Sequence, residues 1–211
     1  MRVTAEAREL TRQRILEVSS ELFRSQGFQE STSRDIAREA GVANGTLFNY
    51  FPNKESIALQ LACDVLEDTE AAFRKRRREA ASLEEDLFLH VSTGLRRLQP
   101  VRAFIGPALE THLGPVIADD ACQQSATIRL GHIEVVGRLL TEHGLTEPPN
   151  SVQFQMYWLL YTGVLAFWTK DASVKQEDTL ALLDQSMKMF VAWLNVQATS
   201  ESDSSIENSV E

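Results

Sequence analysis

"GVANGTLFNYFPNKE", residues 41–55, is the stretch on which the reading of this chain turns. Two small turn formers, Asn44 and Gly45, stand before Leu47, Phe48, Tyr50 and Phe51, and Pro52 with Asn53 then ends the run. A helix there is barely two turns long, too short to persist in water unaided. Large side chains on one face must anchor it, and Leu47 and Phe51 share that face. Just upstream, "TSRD" opens a second short helix, with Thr32 as N-cap and Asp35 three residues on, the spacing of a capping box. Ile36, Ala37 and Ala40 form its inner side and Gly41 ends it. Two short helices joined by a tight glycine turn have the layout of a helix-turn-helix, whose second helix enters the major groove while the first braces across the backbone.

On that layout the polar groups between the rings acquire roles. Tyr50 and Thr46 aim hydroxyls at phosphates, and Asn44 and Asn49 project amides toward base edges. Gly45 permits close backbone approach, and Lys54 neutralises a phosphate.

Working outward, helical periodicity dominates, with no convincing two-residue alternation. A first helix spans Thr4 to Gln26, with Ile15, Val18, Leu22 and Phe23 as its apolar stripe and Gly27-Phe28 as a left-handed cap. A fourth helix runs from Lys54 to about Arg78, turning Ile57, Leu61, Val65 and Phe73 inward. Further helices fall at 82–98, 100–113, 116–143, 151–170 and 176–197, separated by Gln99-Pro100, Gly114-Pro115, "HGLTEPPN" and "KDAS". The expected fold is all-α, about nine helices: a three-helix head followed by a larger helical body. The tail, 198–211, is polar and acidic and is expected to be disordered.

The chain has 211 residues, 43% of them apolar, and a formal charge of −9, which argues against a general nucleic-acid coat protein. That charge is unevenly placed. Residues 1–54 hold eight Lys/Arg and seven Asp/Glu (+1), and the rest thirteen and twenty-three (−10), so contact with a polyanion belongs to the N-terminal quarter. The run "RKRRR", residues 74–78, reads as a solvated, dipole-favourable helix end. No basic-then-apolar leader is present, and the one apolar stretch of membrane length, Val152 to Thr169, is interrupted by Gln153, Gln155 and Gly163 and reads as a buried helix. Cys63 and Cys122 read as buried thiols in a reducing cytoplasm. The four histidines are scattered, and nothing calls for a metal or a cofactor.

The head resembles the TetR-like transcriptional repressors over about residues 9–69. The likeness lies in "ELFRSQGF", "TSRDIAREAGVANGTLFNYF" and "NKESI". It implies a DNA-binding domain at 9–69 with its helix-turn-helix at 32–51, and a ligand-binding and dimerisation body at 70–197. It also implies that Thr32, Ser33 and Arg34 lie at the backbone-touching end of the second helix. Asn44, Gly45, Thr46, Phe48, Asn49, Tyr50 and Lys54 fall on the DNA-contacting surface. Two departures stand out. Ala43 occupies a position where a serine often caps the recognition helix, at a cost of about 1 kcal/mol, and Phe48 replaces a frequent tyrosine.

The body must be read from physics. Residues 157–168 are apolar nearly all round, and the last helix carries two stripes: Leu180, Leu183, Met187, Phe190 and Leu194, then Leu182, Met189, Trp193 and Val196. Helices of this type need cover on two sides, and a second copy of the chain supplies it most simply, as a homodimer about a two-fold axis. Phe104, His112, Trp158, Tyr161 and Leu165 are the candidates to line a pocket, with His112 or Tyr161 orienting the ligand. Because Val152 to Thr169 holds no charge, the expected inducer is mainly apolar or aromatic. The reading is a cytoplasmic, ligand-responsive regulator, most simply a repressor on a partly palindromic operator. The competing readings are the same head without an inducer and a small all-helical enzyme. The enzyme would require a nucleophile–base pair, metal cluster or phosphate loop that the sequence does not offer.

Overall fold

The computed structural model describes residues 4–114, 123–144 and 150–207, and every regular element among them is helical. In chain order the α-helices are α1 (Ala5–Ser25), α2 (Ser33–Ala40), α3 (Asn44–Tyr50), α4 (Lys54–Leu66), α5 (Thr69–Arg76), α6 (Leu83–Leu98), α7 (Arg102–His112), α8 (Gln123–Glu142), α9 (Ser151–Lys170) and α10 (Glu177–Glu207). Their starts follow from side-chain caps. Thr4, Thr32, Asn53 and Asn150 each accept a backbone N–H of the helix that follows, and the last three close full capping boxes with Asp35, Ser56 and Gln153. Ala43 provides no such bond to α3.

Three expectations change. The helix expected from Lys54 to Arg78 is two, α4 and α5, broken at Glu67-Asp68. Asp and Thr are weak interior helix residues, and acids are favoured at the start of a helix, so "EDT" restarts the chain instead of continuing it. With that break, Leu59 and Ala62 join Ile57 in the buried face of α4, while Leu61 and Val65 are only half-buried. The tail expected to be disordered is helical through Glu207, because no Gly or Pro follows Glu177 to stop propagation. The helix expected from 116 is seen from Gln123; residues 115–122, with Cys122, lie outside the described residues, as do 208–211.

The chain divides into two compact units. The first is Met1–Asp68 with Arg96–Leu130, so α7 belongs with the head helices and not, as the 70–197 body implied, with the helices beyond. Its core is built on Ile15, Phe23, Ile36, Leu47, Phe51 and Leu59, all nearly inaccessible. Phe23 is the centre, with the Phe28 ring 5.0 Å and the Phe104 ring 5.3 Å away.

The second unit is Thr69–Leu95 with Gly131–Glu211. Leu87, Val91, Val136, Leu140, Trp158, Trp168, Leu183 and Met187 fill its core. At Gly137 a Cβ would stand 3.3 Å from the Phe154 ring, so a side chain there would require that ring to give by a few tenths of an ångström. Buried Asp86 ties the ends of three helices. One of its oxygens accepts from the Arg77 guanidinium at 2.9 and 2.7 Å and lies 2.7 Å from His143 Nε2, while Arg77 also reaches Glu142. Arg138 and Arg74 both pair with Glu70. Asp171 ends α9 and accepts from the Thr179 N–H at 3.0 Å and its hydroxyl at 2.5 Å, fixing the entry to α10.

The joint between α2 and α3 depends on Gly41, at φ +70°, whose N–H reaches the carbonyls of Ala37 and Arg38. A Cβ there would meet nothing nearer than the Arg14 side chain at 3.8 Å, so the restriction is conformational and not steric crowding. Gly41→Ala should therefore lower stability by about 1 kcal/mol, the cost of holding an L-residue left-handed. Urea unfolding checks this, and an unchanged midpoint would show that the joint does not need that conformation.

Candidate functional site

The α2–α3 pair has the division of labour expected of it. Leu47 and Phe51 are each 1% exposed, whereas Asn44, Gly45, Phe48 and Asn49 face solvent on the opposite side. Thr46 and Tyr50 are half-buried at the margin. Phe48, at 46% exposure, presents a bare ring in the middle of a polar surface. At the start of α2, Thr32 and Arg34 are exposed and Ser33 half-buried. The Thr32 hydroxyl donates to Asp35 at 2.5 Å, and this bond is the main cause that holds the Asp35 carboxyl below its usual range. Arg38 pairs with Asp35 at 2.8 Å and with Glu39 at 3.3 Å, whereas Arg34 has no ion-pair partner among the described residues.

Lys54 differs from the expectation. Its ammonium donates to the carbonyls of Phe28, Gln29 and Ser31, at 2.8, 3.2 and 3.4 Å, and sits 4.5 Å from the Phe28 ring centre. All three donors of the ammonium are used within the head. The lysine holds the loop that delivers Thr32, and in this structure its ammonium is engaged there. Two cations that sequence reasoning missed stand beside rings at the end of α3. Arg8 lies 5.9 Å from the Tyr50 ring and Arg12 5.9 Å from the Phe51 ring. Their four-residue spacing on α1 was the available signal. Arg8, Arg12, Asn49 and Tyr50 border one groove with Gln60 and Gln124, and Gln124 also joins Gln60 at 3.3 Å and accepts from the half-buried Cys63 thiol at 3.7 Å.

The residues expected to line a pocket fall in both units. Phe104 and His112 belong to the first: Phe104 packs on Phe23, and both ring nitrogens of His112 are buried without a hydrogen-bond partner among the described residues. Trp158, Tyr161 and Leu165 belong to the second, where all three are buried. There the structure gathers a polar aromatic cluster that the sequence reading did not assemble. His132 from α8 has its ring 4.0 Å from that of Tyr161, 5.7 Å from Tyr157 and 4.6 Å from His90 of α6. His132 Nε2 and the Tyr157 hydroxyl are 2.9 Å apart. His90 is 4% exposed, lies edge-on to Phe73 at 5.5 Å, and neither of its ring nitrogens has a hydrogen-bond partner among the described residues. Tyr157 and Tyr161 lie one helical turn apart on α9, the only part of this cluster visible in the sequence.

Burial sets the charge of this cluster. Desolvation pushes His90 down to about 4, with Glu70 opposing and Arg138 assisting. It holds His132 well below the usual histidine value, with His90 adding to the effect. Tyr157 and Tyr161 are raised by the same burial. At neutral pH all four are uncharged, so the cluster offers hydrogen bonds but no net charge.

The family described as bacterial regulatory proteins, tetR family, matches residues 15–61. An HTH-type transcriptional repressor, KstR2 of Rhodococcus jostii (strain RHA1), is 24% identical over 187 residues, 88% of this chain and 78% of that protein. Thermus thermophilus FadR, a TetR-family transcriptional repressor crystallised with lauroyl-CoA, superposes with a TM-score of 0.64 at 22% identity, covering 85% of this chain and 93% of that one. Bacillus subtilis FadR, in complex with stearoyl-CoA, gives 0.55 at 22% identity over 85% and 97%. These two likenesses are of fold. Among the described residues no helix is long and apolar enough to cross a membrane.

The histidines make acid the sensitive direction. A buried histidine whose folded value lies below its unfolded value near 6.5 stabilises nothing by protonation; the unfolded chain takes up the proton first. Stability is therefore full above about pH 6.5 and falls as pH drops toward about 4, by at most about 1.4 kcal/mol per pH unit for His90. Denaturant unfolding at several pH values should show a shallower acid loss in His90→Phe than in the wild type. Parallel curves would remove His90 from the account.

Proposed function

We propose that this chain, which belongs to the TetR-like helix-turn-helix transcriptional regulators, is a homodimeric repressor that a small, mainly apolar effector releases from its operator. The observation that carries the reading is the solvent face of α3. Asn44, Gly45, Phe48 and Asn49 are displayed there only because Leu47 and Phe51 are locked into the core beneath. Asn side chains suit adenine edges in the major groove, and the Phe48 ring suits a thymine methyl. In this reading Arg34, Thr32, Ser33, Thr46 and Tyr50 contact the phosphates around them, and Lys54 serves by holding the loop before α2.

Support for the dimer comes from α9 and α10. Along α9, Val152, Met156, Leu159, Gly163 and Phe167 form one exposed apolar stripe, opposite buried Tyr157, Trp158, Tyr161 and Trp168. Along α10, Leu182, Met189 and Val196 are exposed with half-buried Trp193 beside them, while Leu183, Met187, Phe190 and Leu194 point into the core. Stripes this long in a monomer mark an interface, and an isologous pairing covers both. Two heads then read half-sites in successive major grooves, about 34 Å apart or a multiple of it.

Support for the effector comes from the uncharged aromatic core of the second unit. Acyl-CoA is the ligand in two proteins of like fold, and an acyl chain has the apolar character that such a core accepts. A ligand releases DNA only to the extent that it prefers the non-binding state, with couplings of about 1–3 kcal/mol being typical.

Selection of bound genomic fragments, followed by gel shift, tests the DNA reading. Asn44→Ala and Asn49→Ala should relax preference at particular base pairs by about 1–3 kcal/mol each; a uniform loss on all sequences would remove their base-reading role. For the assembly, Leu159→Glu combined with Met189→Glu should yield a 23.7 kDa species by light scattering and weaken operator binding at least about tenfold. An unchanged dimer would place the interface elsewhere.

A further inference from the structure

His90 is the most poorly satisfied side chain among the described residues of the second unit. It sits on α6 at 4% exposure, and both ring nitrogens are buried without a hydrogen-bond partner among the described residues. Phe73 and His132 press on it, their rings 5.5 and 4.6 Å away. The neighbouring polar groups are engaged with one another and not with His90: His132 Nε2 with the Tyr157 hydroxyl, and Glu70 with Arg138 and Arg74. A buried donor or acceptor left unpaired is destabilising, and native structures hold few of them. A neutral imidazole carries one donor and one acceptor, so phenylalanine would fill the same place at lower cost unless something hydrogen-bonds there in another state.

We propose that His90 is the polar anchor of the effector site, and that the effector is a neutral, largely apolar molecule presenting a carbonyl or hydroxyl to its ring nitrogens. This rests on the effector reading above and adds its chemical class. The imidazole is kept uncharged by burial, so a carboxylate gains no ionic partner from it and meets the full penalty of desolvation. A carbonyl accepts from its N–H, and a hydroxyl serves either nitrogen. The ring stack of His90, His132 and Tyr161 is closed, with centroids 4.6 and 4.0 Å apart. A ligand therefore reaches His90 by parting rings carried on α6, α8 and α9. Binding and rearrangement of those helices become a single event, the property that a released repressor needs.

The test uses the full chain with three probes of matched length, octanol, hexyl methyl ketone and octane, at equal free concentrations. Melting temperature and operator release are measured in wild type, His90→Phe and His90→Gln. Octanol and the ketone should stabilise wild type more than octane does. His90→Phe should abolish that preference, weakening the two polar probes by up to about tenfold, and His90→Gln, which keeps a donor and an acceptor, should restore part of it. Without probe at neutral pH, His90→Phe should be at least as stable as wild type. Equal response to all three probes with operator release would remove His90's role while leaving the effector reading intact. The same follows if His90→Phe keeps the preference, unfolds or loses stability, since its nitrogens would then be satisfied already. No response to any probe would overturn this proposal and count against an apolar effector as well.

Discussion

At Gly41 the backbone takes a left-handed turn, and only through that turn do α2 and α3 share one core while showing different faces to solvent. The rest of the head is arranged to keep the joint in place. Leu47 and Phe51 fasten a seven-residue helix that has no side-chain cap. From the other side, Lys54 draws together the carbonyls of Phe28, Gln29 and Ser31 and so steadies the approach to the Thr32 cap. A recognition helix this short gains almost nothing from its own hydrogen bonds, and its geometry is borrowed from its neighbours. That is why so much aromatic surface crowds a helix of two turns.

The second unit meets a different constraint. Its two longest described helices are apolar on opposite sides, and burying one side leaves the other in water. The proposed two-fold pairing resolves this from outside. Inside, the same apolar packing encloses two histidines and two tyrosines, groups whose hydrogen bonds are expensive to leave incomplete. The Tyr157–His132 contact completes one such bond, and His90 remains outside it.

Much of this was legible because it was written locally. The Thr32–Asp35 box, the uncapped Ala43, the Gly41 turn and the two stripes of α10, apart from Leu180, which is exposed, all depend on residues within a turn or two of one another, and periodicity displays them directly. What the sequence concealed depends on residues far apart. Lys54 meets carbonyls more than twenty positions upstream, and His90 and His132 come from different helices. Scattered histidines gave no sign of sharing a core. The break at Glu67-Asp68 was missed because apolar spacing runs on across it, and the acidic tail because composition alone does not stop a helix already under way.

The placement of the aromatic residues also decides what light can report. All three tryptophans, Trp158, Trp168 and Trp193, lie on α9 and α10, and the head carries none. Trp158 and Trp168 are inaccessible to solvent, and Trp193 stacks on Phe190 at 6.2 Å. Indole emission is therefore a signal of the second unit alone, and a head that loosens or unfolds by itself will be silent in it. Trp158 also stands edge-on to His132 at 6.3 Å, close enough for a change in that imidazole to alter its quenching. Unlabelled protein thus carries an optical probe beside its own buried polar cluster, while the head helices must be followed by circular dichroism or by an added fluorophore.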